Sequence, residues 1–121
     1  MHKKTTISQQ TQFTISIDNY CSLTGFYPEI IKIDVEGAEL DVLKGSKEVL
    51  NKNKLNTIFL ELHPMFFKES KKETILKQIN ELLNSFQFYK FSHHRNKNKN
   101  SLEKINSLTE IKKNRMILCK R

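Results

Sequence analysis

Ile30-Ile31-Lys32-Ile33-Asp34-Val35-Glu36-Gly37-Ala38-Glu39 compresses a strand, an acidic turn and the start of a helix into one short run. Ile30, Ile31, Ile33 and Val35 are β-branched and nearly continuous. That predicts a strand over residues 29–34 covered on both faces, as in a parallel sheet with helices above and below. In an open α/β sheet, ligands bind in the crevice outside the carboxyl ends of the strands. Asp34 and Glu36 arrive at that end, so both are expected to face a pocket and not the core. Gly37 opens a helix predicted over residues 38–51, with Val42, Leu43, Val49 and Leu50 on one face and small Ser46 between them. Glu36, Glu39 and Asp41 fall in its first turn and Lys44 and Lys47 further along, the charge order a helix dipole favours. Glu39 therefore carries two readings of equal weight, a helix-stabilising acid or a functional group.

Working outward, the pattern repeats. Thr57-Ile58-Phe59-Leu60-Glu61-Leu62 reads as a second buried strand, and Glu61 and His63 again bring polar groups to a strand's carboxyl end, just before Pro64. A glutamate within an apolar strand is costly to bury unpaired, so Glu61 either pairs inside the fold or lines a site, and the second is preferred. Upstream, residues 11–17 alternate apolar Phe13, Ile15 and Ile17 with polar Gln12, Thr14 and Ser16, which predicts a half-buried strand. Asp18 follows, placed to cap a short helix over residues 19–23 that Gly25 stops.

Downstream, Ser70 and Glu73 have the spacing of a capping box. Ile75, Leu76, Ile79, Leu82 and Leu83 then mark an amphipathic helix ending near Asn84. Phe86, Phe88, Tyr89 and Phe91 predict an aromatic strand, residues 93–100 a polar loop, and residues 116–119 a last strand antiparallel to the aromatic one at a sheet edge. His93 and His94 have no third ligand at a useful spacing, so no metal site is expected.

Composition bounds the rest. One domain fits in 121 residues, of which 37% are hydrophobic and 28% charged. No apolar run approaches a membrane span, and no apolar segment follows Lys3 and Lys4 to make a secretory signal. A cytoplasmic protein is expected. Cys21 and Cys119 lie far apart and read as free thiols. The net charge of +8 is confined to the tail: residues 1–89 carry eleven Lys against eleven Asp or Glu, whereas residues 90–121 carry ten Lys or Arg against Glu103 and Glu110. Such a tail can hold phosphate by charge alone, but no aromatic residues interleave with it as single-strand binders require. A solvated basic segment is the preferred reading.

Ser16-Ile17-Asp18, then Ile31 to Glu39, then Val42-Leu43-Lys44-Gly45, then Leu60-Glu61-Leu62-His63-Pro64 together resemble the FkbM family of S-adenosylmethionine-dependent methyltransferases. The family has Thr-Leu-Asp where this chain has Ser-Ile-Asp, and the match is best over residues 12–64. The order of elements implies an α/β fold over residues 1–121, the carboxyl-terminal half of a Rossmann-like methyltransferase sheet, with flanking helices and a terminal antiparallel strand pair. The resemblance also implies methyl transfer from S-adenosylmethionine to an oxygen of a sugar or small metabolite. It places Asp18 near the adenine end of the cofactor. Asp34, Glu61 and His63 take the catalytic positions, with Glu36 and Glu39 on the acceptor side. His63, whose ordinary pKa lies nearest neutrality, suits proton transfer best.

The family's Gly-rich cofactor turn has no counterpart, because Gly25, Gly37 and Gly45 are the only glycines and none are adjacent or alternate. The chain is therefore expected to be a truncated reading frame, a fragment or one part of a split protein, with activity belonging to the complete fold. Without a parallel neighbour its first sheet strand would become an exposed apolar edge. In the split-protein case a partner chain supplies the missing amino-terminal half. Two other readings compete: a non-catalytic interaction module that completes its sheet with a partner, and a small basic nucleic-acid binder.

Overall fold

A computed structural model describes residues 9–94 and 99–121. The described residues fold as α1 (Ile17–Thr24), β1 (Ile30–Ile33), α2 (Glu39–Lys44), α3 (Lys47–Leu50), β2 (Thr57–Leu62), α4 (Lys72–Leu82), β3 (Gln87–His94), β4 (Lys99–Ile105) and β5 (Arg115–Lys120), with short 3-10 turns between some of them. The strands make one mixed sheet in the order β1-β2-β5-β3-β4. β1 and β2 run parallel, as a crossover through α2 and α3 requires, and every other pair is antiparallel.

Register assigns the side chains to two faces. Ile33 lies beside Leu60, Leu60 beside Ile117, Ile58 beside Cys119, and Cys119 beside Phe88. All six are buried, and they share one core with Leu43, Val49 and Leu50 of α2 and α3 and with Leu76, Ile79 and Leu83 at α4. The helices thus cover this face. The other face carries Ile30, Phe59, Met116, Leu118, Tyr89, Phe91 and Leu102. Phe59, Met116, Leu118 and Tyr89 are half-buried, and Ile30, Phe91 and Leu102 are exposed.

Several expectations hold. β2 occupies residues 57–62 as predicted, α1 ends at Gly25 in the left-handed conformation (φ +72°), and β3 and β5 pair antiparallel. Others need correction. Residues 9–16 form no strand, and Phe13 is 96% exposed: alternation alone does not make a strand where no neighbour offers hydrogen bonds. Ser16 instead caps α1, its hydroxyl oxygen accepting from the Asn19 amide at 3.1 Å. Among the described residues, β1 is covered on one face only and forms an edge of the sheet. The helix expected over residues 38–51 breaks at Gly45 and Ser46 into α2 and α3. Close packing accompanies the break, since a Cβ at Gly45 would lie 3.0 Å from the Ser16 Cβ.

The Ser70 capping box does not form; a 3-10 turn over Glu69–Lys71 leads into α4, and no side chain caps it. Residues 99–105, with 99 and 100 expected in a polar loop, are strand β4. β5 therefore sits inside the sheet, between β2 and β3, and β4 is the edge. The side chains of His93 and His94 lie outside the described part.

Both cysteines are free and buried, and burial pushes the Cys119 thiol up to about 12. Part of the basic tail has structural work: Lys90 pairs with Glu103 at 3.3 Å, and the Arg121 guanidinium donates to the Leu50 carbonyl and lies 4.6 Å over the Phe86 ring. Among the described residues, no helix is long and apolar enough to cross a membrane.

Candidate functional site

The two parallel strands end side by side, and their tips make the site. After Ile33 the chain leaves β1 through Asp34 and Val35 and reverses at Glu36 and Gly37, whose φ angles are +47° and +104°. Glycine is needed at position 37 for two reasons: its backbone is left-handed, and a Cβ there would come within 2.9 Å of the Phe66 Cβ. The reversal aims Glu39, in the first turn of α2, back toward the strand tips. Its carboxylate Oε1 accepts from the Gly37 amide at 2.9 Å, so the same side chain that organises the turn is fixed by it.

β2 delivers the partner. His63 follows Leu62 and precedes Pro64, which opens a 3-10 turn over Pro64–Phe66 at a position where a missing amide costs nothing. The imidazole is thereby turned inward. Its Nδ1 lies 2.7 Å from Glu39 Oε1, and Phe66 meets the ring edge-on with centroids 5.7 Å apart. His63 is 6% exposed and Glu39 is fully buried. Oε2 of Glu39 is buried with no hydrogen-bond partner among the described residues. The opposite ring nitrogen, Nε2, points to the strand tips, 3.6 Å from Glu61 Oε1 and 3.7 Å from Asp34 Oδ1. Those two carboxylates are 35% and 42% exposed, so the ring reaches solvent through an acidic rim.

Electrostatics follow from this arrangement. Burial is the largest single influence on His63 and lowers its pKa. The Glu39 hydrogen bond and the charges of Glu39, Glu61 and Asp34 together outweigh it, and the net pKa lies above the ordinary 6.5. The ring is buried, with one nitrogen committed to Glu39 and the other facing the carboxylates at the surface.

The structure thus brings together Asp34, Glu61 and His63 and sets Glu39 behind them. Glu39, placed on the acceptor side by the resemblance, touches the imidazole and the Gly37 amide and has no exposed surface. Glu36 is exposed at the turn. Asp18 does not share these contacts: its two carboxylate oxygens each accept a backbone amide of α3, from Glu48 and Val49, both at 3.0 Å. It caps a helix distant in sequence, not the one that contains it. Sequence reasoning gave no sign of Asn114, whose side-chain oxygen accepts from the Met65 amide at 3.3 Å and ties the turn after His63 to the start of β5. An asparagine in a polar connection carries no pattern that would reveal it.

A family model for the methyltransferase FkbM domain matches residues 2–107 of the 121-residue chain. No curated protein and no solved structure matches.

Proposed function

The chain belongs to the FkbM methyltransferase domain family, and from that premise we propose that its strand tips receive a hydroxyl-bearing sugar or small metabolite for O-methylation from S-adenosylmethionine. The observation that carries this reading is the buried Glu39–His63 pair, which presents Nε2 between Asp34 and Glu61 at the carboxyl ends of β1 and β2. Asp34 and Glu61 bind and orient the acceptor hydroxyl, and His63 Nε2 takes its proton. Glu39 holds the ring in place and balances the imidazolium that results. Glu36, exposed at the turn, lies on the acceptor side.

The residues fit one end of the cofactor. An acidic rim suits the sulfonium charge, whereas Gly37 is closed by Phe66, Gly45 abuts Ser16 and Gly25, open on its Cβ side, is the lone left-handed cap of α1, so the three glycines form no Gly-rich turn for the adenosyl end. When bound, S-adenosylmethionine supplies an electrophilic methyl group. The chain's own residues align the acceptor and remove its proton, contributions worth roughly a hundredfold or more for the proton step. The test is transfer of labelled methyl from S-adenosylmethionine to a panel of polyols and sugars. Label in the acceptor, falling at least about a hundredfold in His63→Gln, supports the reading. Equal transfer by wild type and His63→Gln removes His63 from the chemistry.

A second reading is favoured by β1 itself, an edge strand with Ile30 59% exposed. In it the chain completes its sheet along β1 with a partner chain, which also supplies the adenosyl half of the site. Methyl transfer that appears only when such a partner is added supports this version.

A further inference from the structure

We propose that Asp34, Glu61 and His63 form a binding site for a divalent first-row transition-metal cation, such as Mn²⁺, Co²⁺ or Zn²⁺. The inference goes beyond methyl transfer and stands without it.

One imidazole nitrogen and one oxygen from each carboxylate lie within 4.8 Å of one another. Proximity of acids alone would not suffice, because acidic rims are common on protein surfaces. The ring supplies an independent observation. His63 is more than nine-tenths buried, and Glu39 fixes Nδ1 at 2.7 Å, so Nε2 is the only nitrogen left to act. Nε2 is aimed between the two carboxylates, yet at 3.6 and 3.7 Å it is beyond hydrogen-bond length from both. Around a cation with arms of about 2.1 Å, tetrahedral donors sit roughly 3.4 Å apart. The two spacings from Nε2 are only slightly wider, the donor set as a whole fits within 4.8 Å, and both carboxylates are part-exposed.

Glu39 completes the argument. Histidines that ligate metals almost always use their second ring nitrogen on a carboxylate or carbonyl, which fixes the tautomer and orients the ring. The Glu39–His63 contact has that form, with the carboxylate fully buried. A donor set of one nitrogen and two carboxylate oxygens suits Zn²⁺, Mn²⁺ and Co²⁺ better than Mg²⁺, which prefers oxygen and retains its waters. Three protein ligands leave open positions for water or a hydroxyl oxygen. A cation on Nε2 occupies the lone pair that proton transfer needs, so the two uses of His63 exclude each other at any moment.

The experiment titrates the chelator-treated full chain with Co²⁺, read by visible absorption, and with Mn²⁺ and Zn²⁺, read by calorimetry. One cation per chain is expected, with affinity falling at least about tenfold in Asp34→Asn and in Glu61→Gln, and retained when His93 and His94 are both changed to Gln. Glu39→Gln is expected to weaken binding roughly 10–100-fold without changing the stoichiometry. Circular dichroism confirms that the Asp34 and Glu61 variants, altered at part-exposed carboxylates, keep their fold. No saturable binding to the wild type overturns the proposal and leaves an imidazolium balanced by carboxylates. Undiminished binding in the Asp34→Asn, Glu61→Gln double variant also overturns it, by placing the cation elsewhere.

Discussion

On the helix-covered face of the sheet, Ile58, Leu60, Ile117 and Cys119 are fully buried, while on the opposite face of the same strands Phe59, Met116 and Leu118 are half-buried, and Leu102 on that face of β4 is 50% exposed. The residues alternate along shared strands in one register, so strand propensity cannot account for the difference. What lies over each face does. α2, α3 and α4 bring Leu43, Leu50, Leu76 and Ile79 down on one side, and among the described residues no helix supplies a matching layer on the other. Alternation tells which residues look the same way; only the covering element decides how much water they lose.

The contrast can be broken most directly by truncation on both sides. Leu60→Ala is expected to cost about 2–5 kcal/mol of unfolding free energy, the range for a fully buried leucine whose neighbours cannot collapse into the gap. Leu118→Ala on the half-buried face should cost clearly less, within about 1.5 kcal/mol, because less apolar area returns to water. Denaturant titration of both variants measures this. Equal losses would mean the second face is covered in solution.

A smaller effect sharpens the same contrast within the covering layer. Asp18→Ala removes the acceptor of two α3 amides and is expected to cost about 1–2 kcal/mol. A change in S-adenosylmethionine affinity with unchanged stability would instead assign Asp18 to the cofactor. The smallest effect belongs to the open face. Leu102→Ser should leave stability within about 0.5 kcal/mol, as for surface positions without special contacts, and should lower the binding of a hydrophobic dye. A loss comparable to Leu60→Ala would show that this face is packed against something.

Much of the molecule was legible from Ile30 to Glu39 and from Thr57 to Pro64. Nearly continuous apolar runs with polar groups at their carboxyl ends identified β1, β2 and the corner where Asp34, Glu61 and His63 meet, because both signals are local. Residues 11–17 misled, since their alternation is as regular as that of a true strand and the missing ingredient is a neighbour. β4 was hidden for the converse reason: Lys99 to Ile105 is polar at an exposed edge, and its pairing with β3 supplies what its composition does not. Asp18 was legible as a cap but not as the cap of α3, a contact made across thirty residues of chain. Glu39 looked equally like a first-turn acid and a functional one. It lies in the first turn of α2 and also touches His63, because the left-handed turn at Glu36 and Gly37 carries it back under the ring, and that turn geometry is not written in any periodicity.

The account rests on Glu39 holding His63 from the buried side, and imidazole nitrogen NMR across pH in chelator-treated protein tests it most directly. His63 faces Glu39, Glu61 and Asp34, and its folded pKa lies above 6.5. The stability it contributes is therefore fully present below about 6.5 and is lost as pH rises through the higher folded value. The spectra should show Nδ1 hydrogen-bonded throughout and a midpoint above 6.5 that moves down in Glu39→Gln while the fold persists. A midpoint at or below 6.5 that Glu39→Gln leaves unmoved would contradict the account.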